Sequence, residues 1–392
     1  MNIAAQHSLM TKTICDFEDK SPLGLVNVQI LDAKKGTMSN SNGEIEIMLK
    51  SSQGVKISAM GYESVTISYH VLVLRDTIFL KREILELDEL KVYSTRMSAN
   101  DIVRMAMGKT TKLSNGKPYA MKAFYRHYCS ENDIYGRLIE AALDLSDNKG
   151  HKKKFNEPNE KIGVQVNQIR RSFDFTENFD EHDPISIYST MKYDVYSYTS
   201  FLHFYPEDFN FQLVDTTFYD NALVWVISYQ YEKQKEKSLQ KDLLKCKGWL
   251  YIRANDFGIL EVKEEQNYMQ ESEYETHSYD LAWNVKYQEL EGRYYLKYLS
   301  EEGQNRDILK NTAHEEVSNK DHAFKVEMMI SDIQLNDITK LETKEPTKDY
   351  LDGLKFEAKF WEDYLVIQNS PLQKKVVEDL EKRAALNSQF EK

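Results

Sequence analysis

Residues 36–62 place the strongest constraint on the fold, because alternating apolar and polar residues recur there between glycine-containing turns. Residues 44–49 read EIEIML, a period of two that buries one side of a strand and leaves the other side in water. Val55, Ile57 and Ala59 repeat this period after the next turn. The pattern predicts β-hairpins.

Six residues of this stretch have predicted structural roles at its turns: Gly36, Asn42, Gly43, Gly54, Gly61 and Tyr62. An Asn-Gly pair readily takes the positive φ angles of a tight primed turn. We therefore predict such a turn at Asn42-Gly43 and a second positive-φ turn at Gly54. Gly61 is expected to permit a close backbone approach or a bulge before the Tyr62 ring packs across the sheet.

The composition favours a β-rich chain of two or three domains. The 392 residues include 25 Tyr and 17 Phe but only 15 Gly and 7 Pro, and aromatic residues suit half-buried sheet surfaces. The formal net charge of −12 argues against nucleic-acid partners, because their binding depends on neutralising phosphates. The lysine run at residues 152–154 is interpreted as a solvated loop.

Targeting and cysteine signals indicate an exported chain without disulfides. No stretch of eighteen apolar residues occurs, so no transmembrane helix is predicted. The first residues, MNIAAQHS, resemble the small-residue end of a secretory signal that is incomplete or removed. Cys15, Cys129 and Cys246 are odd in number, far apart and without a CxxC spacing, which predicts buried thiols rather than a disulfide framework or a zinc site.

Six or seven short strands follow one another between Lys12 and Leu80, with the spacing of a small sandwich. Gly36-Thr37, the Asn42-Gly43 turn and Gly61-Tyr62 fall in order among them. Over residues 10–82 this pattern resembles the carboxypeptidase-like regulatory domain, a transthyretin-like seven-stranded sandwich. The resemblance implies a non-catalytic interaction module of exported proteins in Gram-negative bacteria.

Residues 83–97 are interpreted as a linker. Residues 83–94, EILELDELKVYS, resemble the connector that follows such a sandwich in TonB-dependent outer-membrane receptors. Those receptors continue with a plug and a barrel of several hundred residues, which do not fit in the remainder of this sequence, so we interpret the segment as an edge strand or a docking linker.

A larger β-rich domain is predicted over residues 98–345. Ser98 is a good N-cap and Asp101 suits the first helical turn, so a helix is expected over residues 98–113. Antiparallel strands are then predicted at residues 119–129, 135–145, 162–175, 209–217, 222–232, 247–253, 257–268, 280–289 and 294–302. Residues 180–206 fit either a helix or a hairpin.

The later strands of this domain, KGWLYIRANDFGILEVKEE and NVKYQELEGRYYLKYLSEE, are similar to those of Lol-type lipoprotein-carrier half-barrels. In these carriers a curved antiparallel sheet leaves a concave apolar face. The predicted fold class is therefore mainly β, with a seven-stranded sandwich followed by a larger, curved, half-barrel-like sheet and a few helices. Residues 346–392 are expected to form a docking segment and a final helix over residues 372–386.

A half-barrel would hold an apolar, lipid-like ligand against its inward side chains. The candidate ligand-binding residues are Trp225, Ile227, Trp249, Tyr251 and Ile259. Burying an acyl chain yields about 0.8 kcal/mol per methylene, so a long chain could be held without a catalytic residue. The alternative is that the helix after Ser98 and the aromatic segment around Trp361 fill the same concavity.

No catalytic, cofactor or metal site is predicted. The nine histidines are scattered, and the sequence contains no HExxH, nucleophile elbow, GxGxxG or phosphate loop. His314 beside Glu315-Glu316 and His203 near Glu207-Asp208 are neighbours expected by chance in a chain with 63 acidic residues.

Three functions are consistent with these observations. The leading hypothesis is a non-enzymatic exported protein of the cell envelope that binds an apolar ligand or a protein partner. The second is a purely structural or interaction protein linked to TonB-type outer-membrane uptake. The third is a hydrolase with dispersed catalytic residues, since paired carboxylates meet in space rather than in sequence.

Overall fold

The fold is described from a computed structural model of the 392-residue chain. The structure describes residues 7–32, 35–83, 97–150, 161–177, 187–197, 202, 206–231, 243–311, 316–344, 346–364 and 371–391. The predicted linker lies outside these ranges except at its two ends, as does the lysine run at residues 152–154. Within the described ranges, no helix combines the length and the apolar character needed to cross a membrane.

The N-terminal part folds as the predicted seven-stranded sandwich of two sheets. Its strands are β1 (His7–Asp16), β2 (Asn27–Ile30), β3 (Gly36–Met38), β4 (Glu44–Lys50), β5 (Gly54–Ser58), β6 (Val65–Ser68) and β7 (Thr77–Leu80). The strand orders are β4-β1-β7 and β3-β2-β5-β6, and a short helix, α1 (Tyr69–Val73), joins β6 to β7. β1 pairs antiparallel with β4 and parallel with β7.

The sandwich has a hydrophobic core of its own. Ile45, Ile47 and Leu49 are at most 1% exposed, as the alternation along β4 predicts. They belong to an apolar cluster whose members all lie within the sandwich, from Met10 to Leu80. The period of two in the sequence therefore records a real inner and outer side.

The turn at Asn42-Gly43 differs from the predicted primed hairpin. Gly43 has a φ of 71° and donates its N–H to the carbonyl oxygen of Asn40 at 2.9 Å, whereas Asn42 is not in the left-handed region. The side-chain oxygen of Asn40 also accepts the N–H groups of Asn42 and Glu44, each at 2.9 Å. Because β3 and β4 belong to different sheets, the turn carries the chain across the sandwich and does not close a hairpin.

Gly36 and Gly54 permit close packing rather than positive φ angles. A Cβ on Gly36 would lie 2.5 Å from the carbonyl oxygen of Val28, and one on Gly54 would lie 2.7 Å from that of Ile67. The predicted positive-φ turn at Gly54 is wrong, because this residue begins β5 and is not among the residues with positive φ. Neighbouring backbone simply leaves no room for a side chain at either glycine.

The second part is one open antiparallel sheet of ten strands, so the predicted larger antiparallel sheet is confirmed. Its strands are β8 (Tyr119–Glu131), β9 (Ile134–Asp147), β10 (Ile162–Arg171), β11 (Phe209–Tyr219), β12 (Ala222–Tyr231), β13 (Leu243–Arg253), β14 (Ile259–Glu271), β15 (Glu275–Leu290), β16 (Arg293–Lys310) and β17 (Glu316–Gln334). Their order is β10-β9-β8-β17-β16-β15-β14-β13-β12-β11, and the edge strands β10 and β11 do not pair with each other.

The sequence prediction omitted β17, although this strand is central to the sheet. β17 pairs with β16 on one side and with β8 on the other, so it joins the later strands to the first hairpin. Its first half, EVSNKDHAF, is mostly polar and is exposed or half-buried. It therefore lacks the apolar alternation that predicts a strand.

The two faces of the large sheet are covered by different parts of the chain. One face carries Ile227, Leu250 and Val262, which lie opposite one another on neighbouring strands. Helix α2 (Ala99–Leu113) and the short helix α3 (Ile187–Met191) share an apolar cluster with these residues, and this face is here called the inner face. The opposite side is called the outer face.

Helix α2 begins as the sequence predicts. The hydroxyl oxygen of Ser98 accepts the N–H of Asp101 at 3.1 Å, which satisfies one of the free donors of the first turn. The uncertain residues 180–206 include α3 and a 3-10 turn at Pro206–Asp208, and most of the others lie outside the described residues.

The C-terminal segment packs mainly on the outer face, although Leu351 belongs to the apolar cluster of the inner face. Its helices are α4 (Lys348–Asp352), α5 (Ala358–Asp363), α6 (Pro371–Glu381) and α7 (Leu386–Phe390), so the single helix predicted over residues 372–386 is divided in two. Val376 and Leu380 of α6 are at most 1% exposed and pack with Tyr128 and Leu138 of the sheet.

Trp361 does not fill the same space as α2. It clusters with Phe124, Tyr298 and Met329, which lie opposite one another on neighbouring strands and face away from α2. The expectation that the helix after Ser98 and the Trp361 segment fill one concavity is therefore correct only for the helix, which covers the inner face, because the Trp361 segment covers the outer face.

Candidate functional site

The structure divides the five candidate ligand-binding residues between the two faces of the sheet. Trp225, Ile227 and Ile259 lie on the inner face, where each is placed opposite an apolar residue of β13. Trp249 and Tyr251 occupy the alternate positions of β13 and lie on the outer face. Successive side chains of a strand point to opposite faces, so these five residues do not form one site.

The inner face around the three inner candidates is filled by the protein's own side chains. Trp225 is 5% exposed, and Ile227 and Ile259 are 0% exposed. The covering residues in the same apolar cluster are Ile102, Val103, Ala106 and Met107 of α2, and Ile187, Met191, Val195 and Tyr196 of the α3 segment. This part of the inner face is a hydrophobic core.

Further along the inner face, Glu264 is buried in a polar cluster. Its carboxyl group accepts hydrogen bonds from the hydroxyl of Tyr229, from Gln266 Nε2 at 2.7 Å and from Cys246 Sγ at 3.3 Å. Burial raises the pKa of Glu264, and burial followed by the nearby Glu264 raises the pKa of the Cys246 thiol. A thiol held in its neutral form is not an activated nucleophile.

The cluster around Glu264 was missed in the sequence analysis. A signal for it exists, because the period of two that puts Val262 on the inner face also puts Glu264 there. The prediction that the cysteines are buried thiols is confirmed, since Cys15, Cys129 and Cys246 are all free and buried.

A cleft of about 350 Å³ lies between the sandwich and the outer face. Tyr251 of the sheet and Tyr62 of the sandwich both line it. The Glu261 carboxylate lies between two ammonium groups of the sheet, 3.4 Å from Lys263 Nζ and 3.6 Å from Lys286 Nζ. Lys286 Nζ also donates to the carbonyl oxygen of Leu25 in the sandwich at 3.5 Å, so the cleft contributes to the contact between the two parts.

A second opening, of about 370 Å³, crosses the outer face over β14, β15, β16, β17 and β8 and ends at Tyr135 of β9. This outer-face groove is lined by side chains that include Tyr128, Tyr135, Glu265, Asp280, Glu302 and Lys325. Ala282 and Ala323 stand between the polar residues and are half-buried. The volume falls in the range of pockets that hold small ligands, roughly 300–1,000 Å³.

The charged side chains of the outer-face groove are paired. Lys325 Nζ lies 2.6 Å from Glu302, and Lys247 Nζ lies 2.8 Å from Glu265. Asp280 accepts a hydrogen bond of 2.7 Å from Asn267 Nδ2. These contacts preorganise the polar side chains around the groove.

Tyr128 differs from these paired side chains. Its side chain lines the groove and is 3% exposed, and its hydroxyl oxygen is buried without a hydrogen-bond partner among the described residues. The ring is held by α6 and by an edge-to-face contact with Tyr135, with 5.6 Å between ring centroids. Burial, followed by the carboxylates of Glu327 and Glu302, raises the pKa of the Tyr128 hydroxyl, which therefore remains a donor.

The remaining predictions concern the Gly61-Tyr62 pair and the histidines. Gly61 and Tyr62 lie where the sandwich meets the sheet, and the Tyr62 hydroxyl donates to the buried Asp16 carboxylate at 2.9 Å. Among the described residues, no three His, Cys, Asp or Glu side chains are grouped closely enough to hold a metal ion. His203 and His314 lie outside the described residues.

Comparisons with known proteins identify no family. No protein-family model and no curated protein matches the chain. Among solved structures, the chain is similar to lipovitellin, from a structure on lipid–protein interactions, with 8% identity, a TM-score of 0.26 and coverage of 59% of this chain and 26% of that one. It is also similar to a protein of unknown function from Bacteroides fragilis NCTC 9343, with 9% identity, a TM-score of 0.16 and coverage of 83% and 98%. Similarities this weak support no inference about this chain.

Proposed function

We propose that this chain is a non-enzymatic exported binding protein of the cell envelope, and that its ligand occupies the outer-face groove. The observation that carries the proposal is the hydroxyl of Tyr128, which is buried and unpartnered beside an opening of about 370 Å³. A buried polar group without a partner costs free energy. A ligand that hydrogen-bonds to this hydroxyl would remove that cost.

The polar groups favour a binding role over catalysis, because they are either held neutral or already paired. The one thiol that touches a carboxyl group, Cys246 beside Glu264 in the described part of the chain, is kept neutral by burial. The carboxyl groups of the groove are already paired with Lys325, Lys247 and Asn267. A general base or a nucleophile needs a group that is free to exchange a proton or attack.

The groove is favoured over the inner face as the binding surface. Trp225, Ile227 and Ile259 are already packed against α2 and the α3 segment, so an acyl chain would have to displace part of the core. Such displacement forfeits apolar burial worth roughly 25 cal/mol per Å². Binding in the outer-face groove would not require any part of the core to be displaced.

Export to the envelope and a protein partner at the sandwich belong to the same proposal. They are motivated by the resemblance of residues 10–82 to the regulatory sandwich. A purely structural or assembly role is the second candidate, and the filled inner face favours it over a lipid carrier.

A ligand screen with a groove-blocking variant tests the proposal. Purified protein would be screened by thermal shift against neutral oligosaccharides, short basic peptides, fatty acids and nucleotides. The screen would be repeated with Ala323→Trp, which places a large side chain in the groove, and with Val317→Trp, a matched change on the same strand at a residue 62% exposed and outside the groove.

The proposal expects at least one compound class to stabilise the wild type and Val317→Trp but not Ala323→Trp. Circular dichroism of each variant establishes that it is folded. A library without such a compound, or with compounds that bind all three proteins equally, would favour the structural role.

A further inference from the structure

The chemistry of the outer-face groove restricts the class of its ligand. Three carboxylates, Glu265, Asp280 and Glu302, line it together with one ammonium group, that of Lys325. An anionic ligand such as a phosphate or a fatty acid would meet this excess of negative charge and be repelled. The groove therefore suits a neutral or a cationic ligand.

The pairing of these groups reduces the case for a cation. Glu302 and Glu265 each have a lysine within 3 Å, at 2.6 and 2.8 Å, and Asp280 is held by the amide of Asn267 at 2.7 Å. A cationic ligand would have to compete with these existing partners. A neutral ligand can use the remaining acceptor sites of the carboxylates without breaking them.

The remaining polar groups call for a ligand that both donates and accepts hydrogen bonds. Tyr128 offers a buried hydroxyl without a partner among the described residues, and Ser130 and the exposed amide of Gln304 stand nearby in the groove. Sugar hydroxyls both donate and accept hydrogen bonds, so they can donate to the carboxylates and accept from the Tyr128 hydroxyl. The half-buried Tyr135 ring adds an apolar surface with a polar tip, which suits a ring with both characters.

The groove is also extended. It crosses five neighbouring strands, and strands are spaced about 4.8 Å apart, so its length is about 20 Å. That length exceeds one sugar ring. A chain of several rings would use it fully.

We propose that the outer-face groove binds a neutral oligosaccharide, with the Tyr128 hydroxyl hydrogen-bonded to a sugar oxygen. This inference rests on the proposed function, because it names the ligand class of the same groove.

The test is isothermal titration calorimetry with defined probes. The neutral probes are maltose and maltotetraose, cellobiose and cellotetraose, and chitobiose and chitotetraose. Tetragalacturonate is the anionic counterpart, and tetralysine represents a basic peptide. We expect at least one neutral series to bind, with the tetramer several-fold tighter than the dimer, and tetragalacturonate not to bind.

Two substitutions locate the binding. Tyr128→Phe removes only the unpartnered hydroxyl, so it should weaken binding of the neutral tetramer by roughly five- to ten-fold without lowering the melting temperature. Tyr69→Phe removes a hydroxyl in the sandwich that already pairs with Ser8 at 2.9 Å, and it should leave the affinity unchanged. Ala323→Trp should abolish binding.

Three results would each contradict a different part of the proposal. Binding of tetralysine alone, lost in Ala323→Trp, would overturn the saccharide inference and leave the proposed binding function intact. Saccharide binding that Tyr128→Phe and Ala323→Trp do not weaken would overturn the assignment to this groove. If no saccharide binds, the inference is wrong, and the broader library screen decides separately whether the proposed function stands.

Discussion

Gly61 donates its backbone N–H to the carbonyl oxygen of Phe218 at 2.7 Å, and this bond joins the sandwich to the edge strand of the large sheet. Exposed edge strands invite pairing with other chains. Here the sandwich covers part of β11, and Lys56 adds an ion pair with Asp220 at 2.5 Å. The opposite edge strand, β10, bonds through the N–H of Val164 to the carbonyl of Glu342.

Replacing Gly61 by Ala should destabilise the protein by about 1–2 kcal/mol, because the residue has a φ of 80°. The new Cβ would also lie 3.1 Å from Thr217 Oγ1, at the contact between the two parts. Urea unfolding measures the loss. Gly116→Ala is the control, since its φ is not positive and its Cβ would meet nothing within 4 Å. Equal stabilities of the two variants would contradict the strain expected from the positive φ of Gly61.

Replacing Gly108 by Ala should stabilise the protein by roughly 0.5–1 kcal/mol. Gly108 lies inside α2, is exposed, and offers open space to a Cβ, while glycine loses more backbone entropy than alanine in a helix. The melting temperature of Gly108→Ala should therefore rise. Unchanged or lower stability would mean that α2 needs the glycine for a reason other than helix formation.

Lys297 should make stability depend on pH between about 8 and 10.5. Burial lowers the pKa of Lys297 to about 8 from the ordinary value of 10.5, and its ammonium donates only to the carbonyl of Ile330, at 3.3 Å, in the described structure. In this window the unfolded chain binds one more proton at Lys297 than the folded chain does. The free energy of unfolding therefore rises by about 3 kcal/mol as the pH increases across this window, and below pH 8, where both states bind the proton, Lys297 adds no further pH dependence.

Lys297→Met removes this titration while keeping the length of the side chain. The variant should be more stable than the wild type at pH 7, and the difference should shrink as the pH approaches 10. Urea unfolding of both proteins at pH 7, 8, 9 and 10 measures the difference, in which all other titrations cancel. A difference that does not change with pH would contradict the lowered pKa.

The sandwich should fold as an isolated fragment of residues 7–83. Its core cluster contains only its own residues, so the fragment keeps its buried apolar surface. Met38 and Leu25, which pack with Trp361 in the whole chain, would become exposed, so a lower melting temperature is expected. Cooperative loss of strand-type circular dichroism on heating supports the prediction, whereas a disordered fragment would contradict it.

A shorter fragment, residues 10–82, provides a comparison. It lacks the start of β1, where His7 and Ser8 pair with Lys50 and Leu49. We expect it to be less stable than the fragment of residues 7–83, because those ladder pairs are lost. Identical melting curves would show that the first residues of β1 contribute nothing.

Local pattern alone determined most of the elements. The period of two in EIEIML, the cap at Ser98 and the apolar runs of β12 and β13 depend on which side of one element faces the core, and each recurs in the structure. The same local reasoning predicted a positive φ at Gly54, which is wrong. Glycine is favoured both in a turn with positive φ and in a strand where no side chain fits, and the sequence does not distinguish the two.

Only the tertiary structure decided what the two faces of the sheet do. The pairing of β17 with β8 and the covering of opposite faces by α2 and by Trp361 join segments far apart in sequence. The outer-face groove depends on both, since Tyr128 is buried under α6 and the groove beside it is lined by residues of five other strands. Periodicity records how a side chain is directed within its own element, whereas burial and hydrogen bonding depend on which distant elements arrive next to it.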